Sequence, residues 1–556
     1  MLKTSNIFLF LFLSISVTAQ TKKSFQINKK YLNIPIQSSL KRQLVDFFVD
    51  EEKLTYNEIR VANDSVDYWT FIDVSKYQGK NFTFSFSKKV SGIKKIYQSD
   101  TIVGDAKLYK EKFRPQIHYT TRRGWTNDPN GMVYYDGEYH LFYQHNPYET
   151  NWGNMTWGHA VSKDLLHWRE LNLALLPDEF GTMFSGSAVI DYKNTAGFNN
   201  GDTPAMLAMY TADLRRNGQE LGQSQCMAYS LDKGRTFTKY AGNPVIPIQN
   251  RFGSGHARDP KVFWYAPGNH WVMIMHEGIS MTIYNSKDFK NWELTDTLDA
   301  GYWECPELFE LPVDGDNENK KWVVYGVRGT YQIGSFNGKV FKPETEMLRY
   351  NGKGWSMTAA QTYNDEPKGR RVSIGWGHAR FPGMSFTETF TFPMDMSLKE
   401  TPNGPRLHVK PVEEIKELYV KSHAFQNMLI GEELNEKLKD IKQPLVHIKT
   451  IIEVDNSRFF GLNINGYKLQ YDVATNTLND VFIPLQNRQL EMEVIIDKTV
   501  IEVFVNGGRY YWFKNYVDGD LNNFNLRFIK GGDPLNRTPK TIVKKLEIHE
   551  LKSVWE

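Results

Sequence analysis

Residues 128–144 read DPNGMVYYDGEYHLFYQ: an acid, a proline, an apolar strand, a turn at Asp136-Gly137 and a second apolar strand. The order recurs. Asp259-Pro260 leads into KVFWYAPGNHWVMIM, and Glu304-Cys305-Pro306 leads into ELFELPVDGDNENKKWVVYG. A second unit also appears three times, as Ser162-x-Asp164 with Trp168, Ser230-x-Asp232 with Phe237, and Ser286-x-Asp288 with Trp292. Two weaker strand openings, FSGSAVIDY at 184–192 and GRRVSIGWGHA at 369–379, complete the series. The result is about five modules of roughly 45–75 residues, the sequence mark of a five-bladed β-propeller. A two-sheet sandwich does not explain acids recurring in phase with strands. A propeller does, because the start of each innermost strand faces the same end of the central channel.

Working outward, 556 residues are too many for one ordinary core. The expected class is all-β, with a five-bladed β-propeller at 109–410, a helical linker at 411–424 and a C-terminal β-sandwich at 425–556. A small N-terminal β-domain is expected at 20–108, where runs such as YLNIPI and DYWTFI alternate apolar and polar residues. The linker rests on PVEEIKELYV, with Pro411 at its start and acids in the first turn. The sandwich rests on VHIKTIIEV, LEMEVIIDKTVIEVFVNGG and LRFIKGG. Residues 1–19 read as an export signal: Lys3, an apolar run from Ile7 to Val17, and the small-residue site Val17-Thr18-Ala19. The expectation is therefore an exported chain, periplasmic or extracellular, with no membrane span.

A formal net charge of +3, from 67 basic and 64 acidic residues, gives no reason to expect nucleic acid as partner. Oligomeric state is open. Cys226 and Cys305 are the only cysteines, too few for a disulfide framework or a Cys-based metal site. His118, His159 and His256 lack ligand spacing, so they are read as satisfied core residues, and neither metal nor cofactor is expected.

Glycosidic hydrolysis at neutral pH needs two carboxyls, one at the anomeric carbon and one to protonate the leaving oxygen. Asp128, Asp259 and Glu304 supply that pair with one to spare, each beside a proline that stiffens the local chain. Asn127, Gln144, Trp152 and Arg258 accompany them in sequence.

Six ordered motifs then carry a resemblance. WTNDPNG at 125–131, FSGS at 184–187, RDP at 258–260, ECP at 304–306, GRRVSIGW at 369–376 and DKTVIEVFVNGG at 497–508 are similar to the motifs of glycoside hydrolase family 32, the invertases, inulinases and levanases. The resemblance covers about residues 115–556. It implies Asp128 as nucleophile, Glu304 as acid/base and Asp259 as transition-state stabiliser, with a retained anomeric configuration. It also implies a terminal-fructose pocket lined by Asn127, Gln144, Trp152, Phe184, Ser185, Arg258 and Trp376. Trp125 is read as either a pocket residue or packing, and Cys305 as packing beside Glu304.

Three departures stand out. Thr126 replaces a common Met, Gly352–Met357 lacks the acids often found there, and Gly377–Pro382 replaces a more polar and aromatic run. The last two leave leaving-group specificity open. So do the choices among levan, inulin and sucrose, between exo and endo attack, and between hydrolysis and transfer. The rival readings are an inverting arabinosidase or xylosidase on the same architecture, and a non-catalytic fructan-binding protein.

Overall fold

Alternation of apolar and polar residues over short runs gives strands almost throughout the computed structural model. The structure describes residues 21–216, 218–298, 301, 304–350, 357–516, 524–532 and 540–555. The proposed export signal and the departure at 352–356 lie outside the described residues. The chain divides into two compact units, 1–103 and 104–556. In the first, one antiparallel sheet runs in the order Thr21–Gln26, Asn81–Phe86, Gln43–Val49, Glu52–Ile59. A second sheet has Tyr31–Ile36 between Tyr68–Asp73 and Tyr97–Ser99. Its apolar residues, among them Leu32, Ile34, Phe47, Phe82 and Phe84, are buried.

The repeats of the second unit are antiparallel meanders. The first runs from Gly124–Tyr135 through Glu138–Asn146 and Thr156–Ser162 to Trp168–Glu170, and meanders starting at Thr182–Ile190 and Ala257–Tyr265 form four-stranded sheets of their own. The fourth, starting at Glu307–Val313, and the fifth are joined into one larger sheet through a single parallel pairing, Val313 with Leu398. The fifth differs from the expectation: its first strand is Met357–Thr362, and the RRVSIGW segment is its second strand, Arg371–Gly377. All six residues of Met357–Thr362 are buried and the strand packs against Gly124–Tyr135. Phe386–Thr387 then pairs in parallel with Gly124–Trp125, tying the end of the repeats to their beginning.

The Ser-x-Asp units close the outer turns. Ser162, Ser230 and Ser286 bond Asp164, Asp232 and Asp288 at 2.9, 2.7 and 3.1 Å. Each aspartate then accepts backbone N–H groups of the turn, such as those of Leu166 and His167 from Asp164. This use of an Asp side chain to satisfy turn backbone is why the motif repeats with the strands.

Buried side chains cross the space between the first strands. Lys261 pairs with Glu307 at 3.0 Å and donates to the Thr362 carbonyl at 2.6 Å. Asn364 donates to the carbonyls of Ala188 and Val262, and Gln361 to that of Gly186. Four meanders are stitched together this way.

After the repeats, the expected helix at 411–420 is a 3-10 turn over Glu413–Leu418, and the chain is already extended from Tyr419. Pro411 ends a strand, so it does not start the helix as the sequence suggested. Two antiparallel sheets of six and five strands follow, with one shared apolar core and a short helix at Glu432–Leu438.

These sheets are anchored to the repeats by a buried charge cluster. Asp497 accepts the backbone N–H groups of Gln116, Ile117 and His118, and the His118 ring bridges Asp497 (2.8 Å) and Glu502 (3.0 Å). Burial opposes protonation of His118, but its two carboxylate partners prevail and raise its pKa to about 9. No helix among the described residues is long and apolar enough to cross a membrane.

His118→Gln leaves two buried carboxylates short of their cation, and a loss of about 3–5 kcal/mol in unfolding free energy is expected. The folded pKa of about 9 lies above the ordinary 6.5. The stabilisation is therefore complete below the ordinary value and lost as pH rises through the folded one. Thermal melts across that window should fall more steeply for the wild type than for the variant.

Candidate active site

Four of the five first strands break register near the cavity. Pairing shifts between Thr126 and Pro129, Met183 and Gly186, Arg258 and Lys261, and Thr358 and Gln361. A bulge inserts a residue and re-aims the side chains around it, and here the bulged segments carry Asp128, Ser185 and Asp259. Asp259 (φ 61°) and Cys305 (φ 51°) also hold left-handed backbone, a conformation costly for residues with a Cβ.

The ten residues singled out in the sequence all line one cavity of about 350 Å³. On its floor, Asp128 Oδ2 accepts the Ser185 hydroxyl at 2.6 Å and Oδ1 the Asn127 amide at 3.2 Å. Asp259 accepts the Cys305 N–H at 3.1 Å, and its own N–H donates to Thr211 Oγ1 at 3.0 Å. The Cys305 sulfur lies 3.5 Å from an oxygen of each aspartate. Arg258 reaches both remaining acids: it hydrogen-bonds Glu304 through Nη2 and has Nε 3.7 Å from Asp259. Glu304 is the most open of the three, with 45% of its side chain exposed.

The walls are as specific as the floor. Asn130 satisfies its neighbours when its amide oxygen faces Gln144 Nε2 (3.0 Å) and its nitrogen faces Ser185 Oγ (3.3 Å). Trp152, an exposed ring at the rim, meets Phe184 edge-on at 6.1 Å. Trp376 donates to the buried Glu388 at 3.2 Å and packs against Trp125 on one side and His378 on the other. Trp125 is not itself a lining residue. Buried, it donates to Asn127 at 3.0 Å and so holds a neighbour of Asp128.

Electrostatics separates the two aspartates. Burial raises both; the charge of Glu304 raises Asp128 further, and those of Asp128 and Glu304 raise Asp259. Asp259, despite Arg258, is pushed up to about 7. Asp128 is also raised by burial, against the hydrogen bonds of Ser185 and Asn127. Burial pushes the Cys305 thiol well above its ordinary range. Asp128, Asp259 and Cys305 present ligand-type atoms within 4.8 Å of one another.

Sequence reasoning missed four lining residues, Arg215, Glu220, Gln223 and His256. His256 is not the core residue expected. It is about half exposed and sits 3.2 Å from Glu220, because it lies two positions before the bulge at Arg258. His118 and His159 are buried as expected. Arg215 pairs with Asp213 at 2.6 Å and lies 5.6 Å over the Trp152 ring. The charged run at 213–223, just ahead of the RDP motif, was the available signal.

The family model "Glycosyl hydrolases family 32 N-terminal domain" matches residues 118–411. The chain belongs to glycosyl hydrolase family 32. Within the family it is 37% identical over 503 residues to a levanase of Bacillus subtilis, an alignment spanning 81% of this chain and 72% of that protein. It is 37% identical over 356 residues to an extracellular exo-inulinase of Aspergillus ficuum, over 55% of this chain and 66% of the other. A second levanase, from Bacillus sp., is 30% identical, and the chain spans 54% of its length. Among solved structures, an exo-inulinase from Aspergillus awamori superposes with a TM-score of 0.69 at 27% identity, covering 80% of this chain and all of its own. A fructofuranosidase from Schwanniomyces occidentalis, complexed with fructose, gives 0.69 at 26%, covering 80% and 99%.

Ser185→Ala removes the shortest bond to Asp128. A charge-assisted bond of about 1.5–3 kcal/mol corresponds to roughly a 10- to 100-fold fall in kcat/KM. Because that bond holds the Asp128 pKa down, the acidic limb of the pH profile should move to higher pH while the melting temperature stays near wild type.

Proposed function

We propose that this family 32 chain is an exported β-fructosidase that hydrolyses fructans from their ends with retention of configuration, releasing fructose. The observation that carries the reading is the convergence of Asp128, Asp259 and Glu304, from three different meanders, on one small cavity. Levanase and exo-inulinase relatives support the substrate class, and sucrose is a further candidate.

Asp128 attacks the anomeric carbon and forms the fructosyl-enzyme. Of the two buried aspartates it has the side-chain donors, Ser185 and Asn127, that favour a carboxylate. Burial and the charges of Asp128 and Glu304 push Asp259 up to about 7, so it holds a proton more readily than an exposed carboxyl does. Sugar hydroxyls donating to Asp259 favour its ionised form, so bound substrate converts it into the anion that steadies the oxocarbenium-like transition state. Glu304, at the open side with its carboxyl oriented by Arg258, protonates the leaving oxygen and then takes a proton from the incoming water. Exo attack follows from the size of the cavity, about 350 Å³, which suits one furanose ring with the leaving group at the rim.

The same reading assigns the architecture. Five successive meanders support a five-bladed propeller at about 109–410: the first strand of the first contacts those of the second and fifth, the second's contacts the third's, Lys261–Glu307 bridges the third to the fourth, and Phe386–Thr387 ties the end back to Gly124–Trp125. The two sheets around one core support a C-terminal sandwich at 425–556. The segment at 1–19 is assigned as the export signal and 20–108 as an N-terminal β-domain.

Glu304→Gln should lower kcat on inulin or levan by about 10²- to 10⁴-fold, and Asp128→Ala by at least as much, with both proteins folded. Chromatography of early products should give fructose alone, and a proton NMR time course should show the β-anomer first. Appearance of the α-anomer first, or near wild-type turnover by either variant, would overturn the role assignments.

A further inference from the structure

At the far end of the first strands lies a second cavity, of about 630 Å³. Asp259 and Tyr265, or Ser185 and Asp191, mark the two ends of one strand or its edge, six residues apart. That is roughly 20 Å at about 3.3 Å per residue. The buried Lys261–Glu307 pair and the Asn364 and Gln361 bonds lie between, so this cavity is no extension of the catalytic pocket.

Its lining has the chemistry of a sugar site. Half-buried Trp264, Tyr265 and Trp322 form one wall, and Tyr192, 61% exposed, stands at the mouth. Such rings stack on the C–H faces of saccharides while the ring oxygens and hydroxyls seek polar partners. Beside the rings the lining includes the polar side chains of Asp191, Lys193, Glu310 and Asp365, which an apolar ligand would desolvate without replacing their hydrogen bonds.

An anion fits no better. The lining carries four acids and four bases. Arg370 is paired with Glu366, Glu414 and Asp395, and Lys261 with Glu307 and the Thr362 carbonyl, while Lys193 donates to Asn269 and Arg371 to Thr362 and the Tyr363 carbonyl. A neutral polyhydroxylated ligand satisfies donors, acceptors and rings together.

We propose that this cavity is a second saccharide-binding site, holding a neutral segment of the fructan chain away from the catalytic pocket. The choice of fructan rests on the function proposed above; the site itself does not. It would keep the enzyme on its polymer while chain ends are found by the other face.

The test is affinity electrophoresis of the full chain carrying Asp128→Ala, in gels containing levan or inulin, with and without Tyr192→Ala. Trp264→Ala is the second variant, since Trp264 also packs edge-on against Trp271 at 4.9 Å and Tyr192 is the cleaner deletion. A several-fold rise in apparent Kd in both variants, unchanged cleavage of a fructan trisaccharide by otherwise wild-type Tyr192→Ala, and a several-fold fall in kcat/KM on polymer are expected. Unchanged retardation in both variants overturns the site. Tyr192-dependent retardation in starch or xylan gels, with none in fructan gels, overturns the fructan assignment. If wild-type enzyme released no fructose but the Tyr192-dependent retardation in fructan persisted, the proposed function would fail and the site would stand.

Discussion

Two carboxyls of like charge, each within reach of one thiol sulfur, must be kept buried at the bottom of one cavity, and the architecture around them answers that constraint. Left alone, Asp128 and Asp259 would repel each other or take up protons. The Ser185 hydroxyl, the Asn127 amide, the Cys305 N–H and the Arg258 guanidinium each offset part of that cost. None of these donors neighbours both aspartates in sequence. They meet because separate meanders deliver them to one place, and because bulges at the strand starts turn their side chains inward. Rigidity is therefore a requirement here. Strain held at Asp259 and Cys305 persists only where the surroundings over-determine it.

The same logic extends outward. Trp125 holds Asn127, which holds Asp128. Glu388 holds Trp376, and Arg380 lies 3.1 Å from Glu388 and 4.7 Å over the Trp125 ring. The run after Trp376 thus touches Trp376 in the pocket wall and Trp125 behind Asn127. Its side chains are placed to alter what sits beside the bound sugar without moving the aspartates. The terminal sheets are involved too: Phe513 packs where a Cβ on Gly377 would have to go, and Glu502 accepts the Phe392 N–H.

Much of this was legible in the primary structure. The acid-proline phase predicted meanders and the convergence of Asp128, Asp259 and Glu304, because a covalent repeat leaves its period in the chain. The Ser-x-Asp period was legible for the same reason, as each copy solves the same turn. What escaped had no local signature. Met357–Thr362 was passed over as a first strand because AAQT is less apolar than VSIG, and its packing against Gly124–Tyr135 is a long-range contact. Pro411 looked like a helix start because a proline at N1 and one at the end of an edge strand read alike. His256 and Arg215 reached the pocket through a bulge and a long hairpin, geometry that no spacing rule encodes. Asp497 and Glu502 were visible as a motif, but their task of gripping His118 from nearly four hundred residues away was not.

The cross-braced interior has one more implication. Among the described residues, Lys261, Glu307, Asn364 and Gln361 close the side behind the aspartates. In the proposed cycle the shortened polymer is the leaving group of the first step, so it backs out before water frees the sugar left on Asp128. The next cut then falls on whichever chain end enters, and the proposed cycle is distributive at the chamber, however firmly the enzyme is held elsewhere.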